Sequence, residues 1–372
     1  MFPSILISSA PLPSLLLIPS GIGCEVGGYA GDAIPSARLL AAASGCLITH
    51  PNVMNGASLF WNDDRIQYVE GFSIDKFVSG DILLRPVRSQ RIGVLFDAGI
   101  EEGLRQRHLH TIDACRASLG LDIGPVITTD SPLQISFRTS SSGSSWGEIA
   151  APDSLLRAGE DLKAEGASAI AVVTKFPEIL GNIELDAYRQ GKGVDVIAGA
   201  EAVISHLLVK HLCMPCAHAP ALSSLPLEIG LDPRAAGEEL GHTFLSCVLV
   251  GLSRAPDILP VTQEHFLGNL QASGDLHVDQ LGAVVVPDGA LGGEAILACL
   301  ERDVPLIVVS NPNVLSVNSQ ALNIENTEFS NRKFSVLQAA NYPEAAGLIL
   351  LLREGINVDS LYRPITHIRE IN

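Results

Sequence analysis

Apolar runs of four to six residues recur along the chain, each ending in Gly, Asp, Asn or Ser and each followed by a segment with helical spacing. That alternation predicts βα units, hence an α/β fold with a mainly parallel sheet and flanking helices. The first expected strand is "SLLLIPS" at 14–20, followed by a helix over 33–44 and a strand in "CLITHP". "RIGVLFDAG" at 91–99 reads as a strand with a helix behind it that stops at Gly120, and Asp153 is the expected cap of a helix running to Lys163. "SAIAVVTKF" is a buried strand, "VIAGAEAVISHLLVKHL" a helix and "MPCAHAPAL" a strand entering a proline-bounded loop. "HTFLSCVLVGL" is apolar at almost every position, so its period selects neither helix nor strand. Strand "LGAVVVPDG", helix "ALGGEAILACLERD" and strand "VPLIVVSNPN" form the most legible βαβ unit, and "PEAAGLILLLREG" closes the pattern with a helix.

The rhythm pauses between about 125 and 152, around the serine-rich "SSSGSSWGE". The pause sets an expected division into two lobes with a cleft, 1–135 and 136–372, with one large domain as the alternative.

Composition narrows the partners. A net charge of −17 without a Lys/Arg run argues against nucleic acid and an anionic membrane, leaving a small-molecule ligand as the expectation. The apolar N-terminus has no basic residue before Arg38 and four prolines by residue 19, so it is not read as a secretory signal. Seven scattered cysteines suit a reducing compartment, and the expected location is cytoplasmic. A homo-oligomer is compatible with all of this.

Ligands of open α/β sheets bind beyond the carboxyl ends of strands, so the loops there carry the candidates. "GIGCEVGGYAGDA" offers Gly23, Glu25, Gly28 and Asp32, but G-x-G-x-x-G counted from Gly21 meets Val26, and no Lys-Ser/Thr closes a Walker loop. Its carboxylates repel a bare phosphate and suit Mg²⁺ or the N–H and O–H groups of a ligand; tight strand-to-helix packing is the alternative. "THPNVMNG" supplies His50, Asn52 and Asn55, and the serine loop supplies Ser144 and Ser145 as an anion nest or nucleophile. Asp288, Gly293 and Glu294 sit at a second glycine-rich helix start, and Arg254 is a bidentate partner for a carboxylate or phosphate, or else a surface salt bridge.

"CMPCAHAPA" with His206 and His211 invites zinc, yet two histidines five apart on a helix diverge by about 140°. No metal site is expected there. Cys216 and His218, about 6.6 Å apart along a strand, share one face, so a Cys nucleophile with a His base needs a bend near Pro220. A buried structural Cys beside a pocket His is the other reading.

These segments resemble an uncharacterised family of cyanobacteria and other oxygenic phototrophs known as a domain of unknown function. The likeness is carried by "GIGCEVGGYAGDA", "THPNVMNGAS", "RTSSSGSSWG", "AGAEAVISHL", "PCAHAPAL", "VLVGLSRAP" and "VPDGALGGEAILACLER", and it spans nearly the full length. It implies no reaction or catalytic residue. The residues themselves lead to an enzyme doing hydrolytic or group-transfer chemistry on a small polar metabolite, because no dinucleotide fingerprint supports hydride transfer. His218, Cys216 and Asp288 are the catalytic candidates. A noncatalytic metabolite sensor using the same loops is the alternative.

Overall fold

The short apolar runs form strands because their side chains are covered on both sheet faces, which favours unbroken Val, Ile and Leu over alternation. This is seen in a computed structural model that describes residues 10–361 except 20, 22, 57–61, 140–144, 178–182, 196, 241–242, 263–273, 313–314, 323 and 325–335, and also describes 363–365 and 367–368.

In chain order the elements are β1 (Ser14–Leu16), α1 (Ile34–Ser44), β2 (Leu47–Thr49), α2 (Pro51–Met54), β3 (Ile66–Tyr68) and α3 (Gly71–Ser79). Next come β4 (Ile82–Arg85), β5 (Ile92–Phe96), α4 (Glu102–Leu119), β6 (Ile123–Thr128), β7 (Ile135–Thr139), β8 (Ser145–Ile149) and α5 (Pro152–Ala164). β9 (Ala169–Lys175), α6 (Ile183–Arg189), α7 (Ala198–Leu212), β10 (Cys216–Ala221), α8 (Pro233–Glu239), α9 (Leu245–Leu252) and β11 (Asp257–Pro260) follow. The last are β12 (Ala283–Pro287), α10 (Glu294–Glu301), β13 (Leu306–Val309), β14 (Val336–Ala339) and α11 (Tyr342–Arg353).

Two sheets carry the fold. Six parallel strands run in the order β14-β13-β12-β1-β2-β3, and four more in the order β10-β9-β5-β6. The α/β fold with parallel sheets and flanking helices is therefore present. The first sheet takes strands from both ends of the chain and the second from its middle, so the division expected at residue 135 falls inside the segment supplying the four-stranded sheet.

Two local expectations need correction, and one open segment finds its element. The pause at 125–152 contains part of β6 and the antiparallel pair β7–β8, whose alternating sequence hides one covered face. Helix α5 is entered through Ala151 with Pro152 in its first turn, and Asp153 lies inside the helix rather than capping it. "HTFLSCVLVGL" yields α9, buried nearly all round because one core joins Leu16 and Ile307 of the large sheet to Val94 and Ala217 of the small one through Leu245, Val248 and Leu249. A helix covered on every side has no polar stripe.

Strand order reverses between β1 and β12, which leaves a crevice at their carboxyl ends flanked by the loops after each strand.

Candidate functional site

A cavity of about 260 Å³ opens where loops from both sheets meet, lined among others by His50, Glu70, Asp195, Glu201, His218 and Glu238. His218 projects from β10, a strand otherwise made of small and apolar residues. Its Nδ1 lies 3.2 Å from the Ser205 hydroxyl and its Nε2 3.5 Å from a Glu201 carboxylate oxygen. Glu201 and Ser205 are four apart on α7, hence one above the other on a single face, so one helix holds the ring at both nitrogens.

The other polar groups are fixed by helix starts. Glu70 caps α3 by accepting the Phe72 amide at 2.8 Å, with its second oxygen 3.7 Å from His206 Nδ1. Burial pushes its pKa up to about 7. Asp195 accepts the Ile197 amide at 3.0 Å at the entry to α7. Glu238 accepts the Tyr188 hydroxyl at 2.6 Å, and Tyr188 in turn stacks on Tyr29 with ring centroids 4.3 Å apart. Burial and then the charge of Glu201 raise Asp195, and burial and then the charge of Asp195 raise Glu238, so both hold protons more tightly than exposed carboxylates do. Asp75, on α3, is raised to about 6 by burial and by the charge of Glu294.

His50 caps the approach to α2 and accepts the Ile18 amide at Nε2, 3.2 Å away, which leaves the ring proton on Nδ1. Burial lowers its pKa to about 4, so it is a neutral group at physiological pH. An adjoining cavity of about 600 Å³ shares His50, Gly71, Asp75, Ala198 and Ala202 with the first and fills the crevice between the loops after β1 and β12. Gly293 and Glu294 line this outer space.

The sequence candidates thus divide. His218, His50, Asn52 and Asn55 line the inner cavity, and Gly293 and Glu294 the outer one. Gly23 and Glu25 line a different hollow with Lys192 and Arg234. Asp32 accepts the Gly27 amide at 2.9 Å and closes the opening loop on itself, while Gly28 leaves room for the Cys24 carbonyl. Asp288 accepts the Gly289 amide at 2.9 Å and belongs to none of these cavity walls. Arg254 pairs with Asp64 at the surface, the salt-bridge alternative. Ser144 and the Ser145 side chain lie outside the described residues.

Cys216 is 1% exposed and donates to the Met214 carbonyl, and burial holds its thiol far above the ordinary range. Burial therefore disfavours its thiolate, and it does not line the cavity. His206 lines the cavity, whereas His211 meets Glu160 at 2.6 Å on the outside. Among the described residues no three His, Cys, Asp or Glu side chains stand close enough to hold a metal ion.

Sequence reasoning missed Glu70, Asp75, Asp195, Glu201, Ser205 and Glu238. Only the spacing of Glu201 and Ser205 ahead of a polar residue in an apolar strand carried any signal.

Two helix-flanked parallel sheets and a partly open cavity with an imidazole held between a hydroxyl and a carboxylate define an α/β protein with a polar site between loops of both sheets. A family model described as protein of unknown function (DUF3326) matches residues 13–362, and the chain belongs to that family. It is also similar to an uncharacterized lipoprotein of Synechococcus sp., 51% identical over 299 residues, covering 80% of this chain and 81% of the relative.

Proposed function

We propose that this protein is an enzyme acting on a small polar metabolite by hydrolysis or group transfer, with His218 as the general acid and base. The observation that carries this reading is the Glu201–His218–Ser205 alignment inside the cavity. Glu201 orients the imidazole, the part a third group plays wherever a histidine moves protons. Ser205 is 2% exposed and directs its hydroxyl at the Ala202 carbonyl of its own helix, so the nucleophile in this reading is water or a substrate hydroxyl. Screening metabolites by thermal shift and assaying each stabilising compound for turnover tests the reading. Binding without turnover would replace it with the sensor reading, and turnover unchanged in His218→Gln would refute the acid–base role.

The Synechococcus relative is called a lipoprotein. Lipid attachment at Cys24 of the present chain would remove everything before it, including β1, whose Leu15 and Leu16 are fully buried at the centre of the large sheet. Cys24 itself is 2% exposed. No helix among the described residues is long and apolar enough to cross a membrane. Free thiols, Cys213 exposed and the others buried, support a reducing, cytoplasmic location. Recovery of the protein in an osmotic-shock fraction would overturn that location.

A further inference from the structure

We propose that the paired cavities take an amphiphilic amine, with a protonated nitrogen among the carboxylates of the inner cavity and an apolar body in the outer one. The inference deepens the proposed function and rests on it, since it names the substrate class of the His218 site.

The inner wall carries Glu70, Asp75, Asp195, Glu201 and Glu238, and among the described residues the basic side chains lining it are His50, His206 and His218. No Lys or Arg among the described residues lines it. Elsewhere the protein answers its covered carboxylates. Asp275 meets Arg85 at 2.8 Å, and Glu239 and Glu228 meet Arg189 at 2.9 and 3.0 Å. Asp97 accepts the amides of Gly99, Leu133 and Lys175. Among the described residues Glu201, with a side chain only 15% exposed, faces just the His218 ring at 3.5 Å. Burying a carboxylate without a counter-charge is costly, and a ligand cation supplies what the chain withholds. An anionic ligand meets repulsion from the same wall.

Shape separates an organic cation from a metal ion. A divalent ion needs oxygens converging at about 2.0–2.6 Å, and the described side chains offer no such cluster. Carboxylates spread around a cavity wall suit instead the several N–H donors of an ammonium group.

The outer cavity gives an independent constraint. Leu17, Ile18, Ile74, Ala290, Leu315 and Val317 line it, and it joins the inner one along Gly71 and Ala202. Side chains added at Gly71 or Gly293 would meet nothing within 4 Å, so both glycines border open space. A ligand filling both cavities is polar at one end and apolar at the other, as their combined size suits.

Protonation gives the proposal a sign. Glu70 and Asp75 hold protons toward neutrality in the free protein because burial opposes their charge. The Asp195–Glu238 pair does the same, and a bound cation releases these protons. Amine affinity therefore rises from about pH 5.5 to 8, while an alkylammonium keeps its charge to about pH 10. Burial lowers the pKa of His206, and its protonation at the acid end repels a cation and acts in the same direction. His50, pushed down to about 4, stays neutral over this range. Glu201 and Glu294 also line the two cavities, while Lys76 acts on Asp75 and Lys210 on His206 from beside them.

The test is calorimetric titration of the full chain with hexylamine, hexanol, hexanoate and MgCl₂. Hexylamine should bind at least about tenfold tighter than hexanol, and Glu201→Gln should remove most of that advantage, as loss of a charged hydrogen-bond partner does. Gly293→Leu, at a position with φ −75° and open space, should weaken hexylamine and hexanol alike while leaving the fold intact, and so covers the case in which the glutamate variant unfolds. Hexanol or hexanoate binding as tightly as hexylamine, displacement of hexylamine by Mg²⁺, absence of hexylamine binding, or binding indifferent to both substitutions overturns the proposal. Each of these results leaves the acid–base role of His218 standing, because that role fails on a separate measurement, unchanged turnover in His218→Gln.

Discussion

Glu201 and Ser205, one turn apart on α7, reach opposite nitrogens of His218, at 3.5 and 3.2 Å. The imidazole is therefore oriented by a single rigid element rather than by a mobile loop, as a proton-transfer group requires. Replacing it in His218→Gln should lower turnover of an identified substrate by about 10²–10⁴, the usual contribution of a positioned acid or base. Steady-state kinetics beside a melting curve checks this, with little movement expected in the melting curve.

Glu70 connects the site to stability. Its carboxyl is raised to about 7 in the fold from an unfolded value near 4.5, so the folded state binds the extra proton between those values. Stability from this group is complete below about pH 4.5 and is lost as pH climbs through about 7, a decline on the order of 3 kcal/mol. Urea denaturation across that range should show a flatter pH dependence in Glu70→Gln, which keeps an oxygen to cap α3.

The opening loop leans on α2 through Gly31, whose φ is +80° and whose absent side chain leaves space for the Asn55 carbonyl, 2.5 Å from where a Cβ would stand. Gly31→Ala should cost about 1–3 kcal/mol, measurable as a lower denaturation midpoint.

Thiol chemistry separates the cysteines. Cys213 is exposed while Cys216 is buried, so iodoacetamide should label Cys213 in the native protein and Cys216 only after unfolding. Cys216→Ala should retain turnover of any substrate found, and a loss comparable with that of His218→Gln would restore Cys216 as a nucleophile.

Removing residues 1–23 should leave the chain insoluble or unfolded, because β1 pairs with both β2 and β12. Circular dichroism of the truncated protein checks this, and a native spectrum would contradict the central role of β1.

The unit β12–α10–β13 was legible because five consecutive residues of β12 are buried and a glycine-rich turn separates it from the helix. Helix α3 was not, since β3 before it has only three residues and β4 after it pairs with the distant β11. His218 stood out as a polar residue within an apolar strand. Glu70, Asp195 and Glu238 did not, because a carboxylate facing an internal cavity has the same local sequence as one facing water. They come from separate segments, and only the meeting of α3, α7 and α8 makes them neighbours.

The interleaving of the two sheets also orders events during synthesis on the ribosome. β1–β3 emerge by residue 68, yet β12 begins at residue 283, so on the order of ten to forty seconds of elongation separates β1 from its second partner. All four strands of the smaller sheet are complete by residue 221 and can assemble within that interval. The nascent amino-terminal strands meanwhile present an unfinished apolar edge, which makes them the natural client for a chaperone and the segment at greatest risk when translation stalls.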